Sequence, residues 1–320
     1  MSATRVVALS GGVGGAKLAL GLYRVLPRDS LTVIVNTGDD FEHLGLSICP
    51  DIDTTLYTLA GLANTELGWG RQGETWNFMK ALETLGGETW FRLGDADLAL
   101  HVERTRRLKG GESLSVITAD FARRFGILAD IVPMSDSPVR TRVYTDEGEL
   151  SFQDYFVRQR CKPSVRAIEY PGGPGARPAV GATLALASQG LDAIVICPSN
   201  PYLSVDPLLA VTGMREAVRA ARVPVLAVTP IVGGQAIKGP TAKIMGELGV
   251  ELSPVAIAEH YAALIDGFVL DRADASLAGK ISCPVHVSDT VMVTLEDRER
   301  LAREVLEFAA SLASVAAARA

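Results

Sequence analysis

The feature that most constrains the fold lies near the start of the sequence, where an apolar run is followed by a glycine-rich loop and a helical pattern. Val6–Leu9 is a short apolar run, Ser10–Gly15 contains four glycines, and residues 16–23 have helical character. Leu31–Val35 is a second apolar run of strand length. Strand, helix and strand at this spacing predict a βαβ unit, and a continuous apolar strand is typical of a parallel sheet covered on both faces.

The same alternation returns in the second half of the chain. A helical pattern covers Met214–Ala221, and an alanine- and leucine-rich stretch with charges at its start covers Arg298–Ala318, which predicts an amphipathic helix packed on the core. The runs that predict strands are Ala193–Ile196, Val225–Val228, Gly267–Leu270 and Val285–Val287. The sequence therefore predicts an α/β fold with a Rossmann-like parallel sheet core and helices on both of its faces.

The middle of the chain has a different pattern. Short alternating segments at residues 140–145 and 149–152, joined by Asp-Glu-Gly, predict a hairpin, and a segment rich in proline and glycine at residues 171–178 predicts a loop. We therefore expect a smaller α+β insertion at residues 113–183. The Rossmann-like core is then formed by residues 1–112 and 184–320.

Composition narrows the classes of partner. The chain has 320 residues and a formal net charge of −6, an acidic balance that argues against binding to nucleic acid or to an anionic membrane. The four cysteines are far apart and form no C-x-x-C, so they predict reduced thiols rather than a zinc site or disulfides. No signal peptide and no membrane-length apolar run is recognisable, so we expect a cytoplasmic protein.

The glycine loop predicts a ligand site. Backbone N–H groups at the start of a helix bind phosphate oxygens, and glycines let the ligand approach closely. The loop fits neither of two common templates. Lys17 is not followed by Ser or Thr as in an ATP-binding P-loop, and it occupies the third glycine position of a dinucleotide fingerprint. The second mismatch argues against an NAD-dependent dehydrogenase. The phosphate-binding candidates of this segment are Ser10, Gly11, Gly12, Gly14, Gly15 and Lys17.

Two acidic segments predict a metal site at the same edge of the sheet. Asn36-Thr37-Gly38-Asp39-Asp40 follows the second predicted strand, and Pro50-Asp51-Ile52-Asp53-Thr54 resembles the start of a helix. Open α/β sheets bind ligands at the carboxyl ends of their strands. Carboxylates together with phosphates form the usual Mg²⁺ site, so the four aspartates of these segments predict bound Mg²⁺, with helix capping as the alternative for one of them. Asn36 and Thr37 are further candidates for nucleotide binding.

Further polar loops follow the later strands. Pro198-Ser199-Asn200-Pro201 and residues 238–243 are expected at the same sheet edge, where Ser199, Asn200 and Lys243 would bind the nucleotide. Lys238 is a second lysine that could neutralise a diphosphate. The alternative is that these segments are connecting loops with solvated lysines.

The segment Leu93-Gly94-Asp95-Ala96-Asp97 offers carboxylates to a polar substrate, with Arg92 directly before it. Helix N-caps in a turn are the alternative. His101 is interpreted as an ordinary histidine on a helix surface. With only four histidines in the chain, a histidine-rich metal site is not expected.

Taken together, these segments resemble the family of 2-phospho-L-lactate transferases of coenzyme F(420) biosynthesis. The matching strings run in order over nearly the whole chain: Ser10-Gly-Gly-Val-Gly-Gly-Ala-Lys17, Asn36-Thr-Gly-Asp-Asp-Phe41, Pro50-Asp-Ile-Asp-Thr54, Leu93-Gly-Asp95, Pro133-Met-Ser-Asp136, Phe152-Gln-Asp-Tyr-Phe156, Pro198-Ser-Asn-Pro201 and Gly239-Pro-Thr-Ala-Lys243. Two positions depart from the family pattern. Ala96 stands where an arginine is usual, and Ser137 stands where an aspartate is common.

The resemblance implies a reaction and a set of roles. The ribityl hydroxyl of the deazaflavin Fo attacks the phosphorus that carries a phospho-acid in a guanosine-diphosphate-activated donor, and GMP leaves. Asp53 and Asp51 are the implied catalytic residues and Mg²⁺ ligands, and Asp53, Arg92 and Asp95 are the implied contacts to Fo. A homodimer is also implied. Phospholactate, phosphoenolpyruvate and 3-phosphoglycerate all remain open as the acid. The alternative is a regulatory protein that binds a nucleotide or nucleotide sugar.

Overall fold

The computed structural model describes residues 4–319 apart from Thr65, Leu67 and Lys238, with side chains described as far as residue 314. Its centre is a seven-stranded parallel sheet. In sheet order, the strands are β14 (Val285–Ser288), β13 (Gly267–Asp271), β10 (Val225–Val228), β9 (Leu191–Ile196), β1 (Arg5–Ser10), β2 (Leu31–Val35) and β5 (Asp130–Pro133). The predicted α/β class is confirmed.

Helices cover both faces of this sheet, because alternate residues of each strand point to opposite sides. Val6 and Ala8 of β1 belong to one apolar cluster, and Val7 and Leu9 belong to the other. The helices whose apolar residues enter the first cluster include α1 (Gly12–Val25), α2 (Pro50–Leu59), α4 (Asp95–Lys109), α5 (Leu114–Arg124) and α11 (Leu295–Arg319). Those on the second include α6 (Val180–Leu186), α7 (Asp206–Ala210), α8 (Met214–Ala220) and α10 (Pro254–Tyr261).

The smaller elements lie outside the main sheet. An antiparallel sheet in the order β7-β6-β8 contains the expected hairpin. The remaining bounds are β3 (Phe41–His43), β4 (Leu46–Ile48), α3 (Asn77–Thr84), β6 (Arg142–Thr145), β7 (Gly148–Ser151), β8 (Val165–Glu169), β11 (Ile231–Val232), β12 (Gln235–Ala236) and α9 (Thr241–Glu247). Short π-helical segments cover Asp154–Arg158 and Pro201–Val205, and 3₁₀ segments cover Gly173–Gly175 and Arg272–Lys280.

The expected insertion at residues 113–183 does not lie wholly outside the core. Strand β5 pairs in parallel with β2 as the edge strand of the main sheet, and α5 packs beside it. Strand β5 is hard to recognise from the sequence, because a four-residue strand between two loops carries little periodic signal. The three-stranded antiparallel sheet covers only residues 142–169. As a division into domains, the proposed boundaries stay a prediction.

The order of the strands fixes where a ligand can bind. From β1 the chain builds the sheet outward through β2 to β5, and from β9 it builds outward in the opposite direction to β14. Strands β1 and β9 are therefore neighbours at a topological switch point, and in open α/β sheets the ligand crevice lies outside the carboxyl ends of such a pair. Among the helices described, none is both long and apolar enough to span a membrane.

Candidate functional site

A cavity of about 920 Å³ opens at this switch point. The glycine loop after β1 contributes Gly11, Gly12 and Gly14, and the loop after β9 contributes Ser199 and Asn200. The start of helix α2 adds a third side with Asp51 and Asp53. Residues that the sequence places far apart therefore meet in one concave site.

The glycine loop is packed tightly against the loop after β9. A Cβ atom added to Gly14 would lie 2.4 Å from the Pro198 carbonyl oxygen, closer than side chains approach backbone atoms. Gly12 has a φ of +63°, in the left-handed region that favours glycine. The hydroxyl of Ser199 donates to the Gly11 carbonyl over 2.8 Å and accepts from the Gly11 N–H over 3.3 Å. The glycine pattern predicts space for a ligand, but at Gly14 the space is filled by the protein's own backbone.

The N-terminus of helix α1 remains partly available to an anion. The first N–H groups of a helix have no partner within the helix. The N–H of Gly12 donates to Asp51 Oδ1 over 2.8 Å, whereas Val13 and Gly14 follow it in the first turn and line the cavity. Lys17 also lines the cavity, and its Nζ donates to the Met292 carbonyl over 2.7 Å. Backbone N–H groups and a lysine at one end of the cavity are suited to a phosphate.

Asn36 holds two carboxylates together below the cavity. Its amide nitrogen lies 2.8 Å from Asp51 Oδ2 and 3.3 Å from Asp39 Oδ1. Burial raises the pKa of Asp51 to about 6, although hydrogen bonds from Asn36 and Gly12 act in the opposite direction. Burial, followed by repulsion from Asp51, raises the pKa of Asp39 well above its usual value. The surrounding protein therefore compensates poorly for negative charge on these two neighbouring carboxyl groups.

Asp53 has a cationic partner. The guanidinium of Arg104 donates to both of its carboxylate oxygens, and His101 Nδ1 lies 3.6 Å from Asp53 Oδ2. Burial raises the pKa of Asp53, against the opposing effect of Arg104. His101 Nε2 lies 3.2 Å from Asp97 Oδ2, and the Tyr57 hydroxyl donates to the other oxygen of Asp97 over 2.6 Å. Asp53, Tyr57, Asp97 and His101 all line the cavity.

The interpretation of His101 as a surface residue is wrong, because its side chain is buried against this acidic cluster. Burial acts to raise the pKa of Asp97, but its contacts with His101 and Tyr57 lower it below its usual value. The spacing Asp97, His101, Arg104 is i, i+4, i+7, which puts the three side chains on one face of helix α4. This spacing was the signal in the sequence that could have revealed the cluster.

The donor set fits a hard divalent cation at Asp51 better than at Asp53. Mg²⁺ prefers carboxylate oxygens and keeps several water ligands. Asp51 and Asp39 both line the cavity, and burial raises both of their pKa values. Asp53, Asp97 and His101 also lie within ligand distance of a common point, but the guanidinium of Arg104 contacts two members of that group and would repel a cation.

Aromatic side chains form the other walls of the cavity. Phe152 and Phe156 are stacked with ring centroids 5.3 Å apart and planes at 11°, and Trp69, Trp90 and Phe91 also line the space. Planar apolar walls of this kind suit an aromatic ring system. A binding role for these aromatic residues is not evident from the sequence, because single aromatic residues carry no recognisable spacing.

The predicted site residues divide into two groups. Those that line the cavity are Gly11, Gly12, Gly14, Lys17, Asp51, Asp53, Arg92, Ser199 and Asn200. Those that do not are Ser10, Gly15, Asn36, Thr37, Asp95 and Lys243. Ser10 and Thr37 are buried, and Asn36 acts indirectly through Asp51. Lys238 lies outside the described residues.

Lys243 and Asp95 have partners elsewhere. Lys243 Nζ bonds to the Glu247 carboxylate, at 2.6 and 2.7 Å, and to the Pro163 carbonyl. The Asp95 carboxylate accepts from the backbone N–H groups of Asn77 and Phe78 at the start of helix α3. Its arrangement is that of a capping group, so the helix-cap alternative describes Asp95 better than a substrate contact does.

Arg92 is placed at the cavity rim. Its guanidinium carbon lies 4.2 Å from the ring centroid of Trp76, a cation–π arrangement that restricts its position. The neighbouring Ala96, which stands where the family usually has arginine, donates its backbone N–H to Glu74 over 2.8 Å.

The fold and this cavity define an α/β protein of the doubly wound class, with an acidic ligand site between a helix N-terminus and aromatic walls. Comparison with known proteins gives the family. The model of the family "2-phospho-L-lactate transferase CofD" matches residues 6–307, and the chain belongs to this transferase family.

Curated relatives match almost from end to end. The chain is 40% identical over 314 residues to a phosphoenolpyruvate transferase of Streptomyces griseus, covering 95% of this chain and 98% of the relative. It is 37% identical over 311 residues to a 2-phospho-L-lactate transferase of Methanocaldococcus jannaschii, covering 96% and 99%. The crystal structure of a UPF0052-family protein from Bacillus halodurans has the same fold, with a TM-score of 0.62 at 15% identity over 96% of this chain and 99% of that one.

Proposed function

We propose that this protein transfers a phospho-acid from a guanosine-diphosphate-activated donor to the ribityl hydroxyl of Fo in coenzyme F(420) biosynthesis. A bond forms between the hydroxyl oxygen and the phosphorus that carries the acid. The bond from that phosphorus to the oxygen of GMP breaks, and GMP leaves with the electron pair. The hydroxyl proton is lost. The observation that carries this proposal is the meeting of the helix α1 N-terminus, Asp51 and Asp53 in one aromatic-walled cavity.

Each wall of the cavity has a role in this reaction. The N–H groups of Val13 and Gly14, together with Lys17, would hold the diphosphate, because fixed N–H groups and a positive charge stabilise phosphoryl oxygens. The stacked Phe152 and Phe156 would hold the planar ring of Fo. Phosphoryl transfer depends mainly on positioning and charge neutralisation, which these groups supply.

Asp53 and Asp51 would have separate roles in the reaction. Asp53 would orient the ribityl hydroxyl and accept its proton, since its position is fixed by Arg104 and it lines the cavity. Asp51 would hold Mg²⁺ with Asp39 beside it. When bound, Mg²⁺ would neutralise charge on the phosphoryl oxygens.

For the acid, we propose phosphoenolpyruvate first. The relatives with 39–41% identity carry the name phosphoenolpyruvate transferase, and those named 2-phospho-L-lactate transferase have 36–37% identity. We also propose a homodimer in the cytoplasm; light scattering of the purified protein tests the dimer.

The test of the reaction is incubation with Fo, Mg²⁺ and the guanosine-diphosphate-activated form of each of the three acids. We expect GMP release and a product whose mass is that of Fo joined to phosphoenolpyruvate. The Asp53→Asn variant, checked for folding by circular dichroism, should release no GMP, because the amide cannot accept the hydroxyl proton. Failure to release GMP with any of the three donors would refute the proposal and favour the regulatory nucleotide-binding alternative, as would nucleotide binding without any product.

The control is the same set of incubations without Fo. GMP release that does not require Fo would show hydrolysis of the donor rather than transfer.

A further inference from the structure

Helix α4 carries a buried arginine directly behind the acidic wall of the cavity. The side chain of Arg104 is 1% exposed and does not line the cavity. Its guanidinium donates to both oxygens of Asp53, one of them over 3.1 Å, and to the Ser47 carbonyl over 3.3 Å. A planar guanidinium with two donors matched to two carboxylate oxygens fixes both the distance and the plane of the carboxylate.

His101 contacts both Arg104 and the neighbouring Asp97. The NH1 group of Arg104 lies 3.3 Å from His101 Nδ1. Nε2 faces the Asp97 carboxylate, which Tyr57 holds from the other side. Arg104 and His101 therefore connect Asp53 to the side chains of Asp97 and Tyr57.

Stability gives no clear reason for this arrangement. Replacing a buried ion pair by packed apolar side chains is often neutral or stabilising, because the charges lose their water. The pair is also placed beside the cavity, where only one of its members, Asp53, can reach a ligand. Arg104 loses its water on burial and contacts no ligand, so its presence is best explained by its effect on Asp53.

We propose that Arg104 is a positioning residue, which acts through Asp53 to set the angle and position of that carboxylate against the reacting hydroxyl, with His101 as its support. This inference rests on the proposed function. A displacement of a reacting group by about 1 Å costs on the order of 10²-fold in rate, so the effect of Arg104 should fall on the chemical step rather than on binding.

The test compares Arg104→Lys with the wild type. Lysine keeps the positive charge near Asp53 but cannot hold both of its oxygens in one plane. We expect kcat to fall by about 10²-fold, while KM for Fo and the affinity for GDP measured by calorimetry stay within about twofold. Arg107→Met is the matched control. Arg107 lies on the same helix and bonds to Glu112 and Asp120, and its loss should leave kcat unchanged.

Arg104→Met completes the series. Its loss leaves Asp53 buried without a cation, so this variant can fail to fold; the double variant Asp53→Asn, Arg104→Met removes that charge and should fold again. The Arg104→Lys result then decides the question. A kcat within about threefold of the wild type overturns the inference, and so does a parallel loss of kcat, GDP affinity and unfolding midpoint, which indicates a purely structural role. No turnover by the wild type refutes the proposed function and this inference together, whereas normal wild-type turnover with an unaffected Arg104→Lys refutes the inference alone.

Discussion

The carboxyl group of Asp40 allows a prediction about stability that does not depend on the reaction. Asp40 follows β2, is 4% exposed, and its Oδ1 has no hydrogen-bond partner among the described residues. Arg140 is the cation that acts on it most strongly, and its NH1 lies 3.9 Å from the other oxygen. Burial raises the pKa of Asp40 to about 7, against the opposing effect of Arg140. The folded protein therefore keeps this group protonated at pH values where the unfolded chain ionises it.

The size of the effect follows from the pKa difference between the two states. A rise from 3.8 to about 7 corresponds to about 4 kcal/mol at 1.36 kcal/mol per unit. The pKa of Asp40 is higher in the folded state than in the unfolded chain. The contribution of about 4 kcal/mol to the free energy of unfolding is therefore fully present below the pKa of the unfolded chain and is lost as the pH rises through the pKa of the folded state. Asparagine has nearly the same shape and does not ionise. We expect Asp40→Asn to gain stability relative to the wild type by about 3 kcal/mol between about pH 5 and about pH 8.

Urea unfolding followed by tryptophan fluorescence measures this gain at both pH values. Subtracting the free energies of unfolding of the wild type and the variant cancels the contributions of other titrating groups. A difference that stays constant with pH, or one that favours the wild type more at high pH, would refute the argument. The first result would mean that Asp40 titrates normally, and the second would mean that its ion pair with Arg140 outweighs burial.

Other predictions concern packing, the phosphate end of the cavity and the metal. Gly14→Ala should destabilise the fold by about 1–3 kcal/mol in urea unfolding, because its Cβ would lie 2.4 Å from the Pro198 carbonyl oxygen. The control is Gly246→Ala, which lies in a helix and has no atom within 4 Å of the new Cβ. This variant should instead stabilise the fold by about 0.5–1 kcal/mol. Lys17→Met should weaken GDP binding measured by calorimetry by about tenfold or more, since a charged hydrogen bond contributes about 1.5–3 kcal/mol; unchanged affinity would place the diphosphate elsewhere. Removal of divalent ions with a chelator should abolish GMP release and Mg²⁺ should restore it, whereas full activity after chelation would contradict a metal at Asp51.

The architecture could be predicted from the sequence because the strands are apolar runs separated by segments that contain glycine and proline. Leu31–Val35 and Val225–Val228 agree with the observed strands to the residue. The carboxyl-end rule then brought Asp51 and Asn200 to one cavity without any knowledge of contacts. These predictions depend on local pattern and on sheet topology, which a single sequence expresses well.

Two of the errors, at Asp95 and His101, have a different origin, because they depend on which distant group a side chain meets. Asp95 is part of a cap for a helix that begins 18 residues earlier, and no local pattern specifies that contact. Lys243 and Glu247 are four residues apart on one helix, a spacing that indicates an ion pair and could have removed Lys243 from the site. His101 is the converse case, since its burial depends on Asp53 in another helix.

The neighbouring positions of β1 and β9 also have a consequence for the order in which the protein folds. Gly11 and Ser199, which bond to each other at the cavity, are 188 residues apart along the chain. Helix α1 in turn packs against α11, and Gly21 lies so close to the Arg298 carbonyl that a Cβ would be 2.1 Å from it. During synthesis on the ribosome, the glycine loop is made early and its partners emerge much later. Contacts of such large sequence separation close slowly. The apolar face of helix α1 in the nascent amino-terminal half therefore stays exposed until the later partners have been synthesised. We expect the chain to depend most on a chaperone during this period.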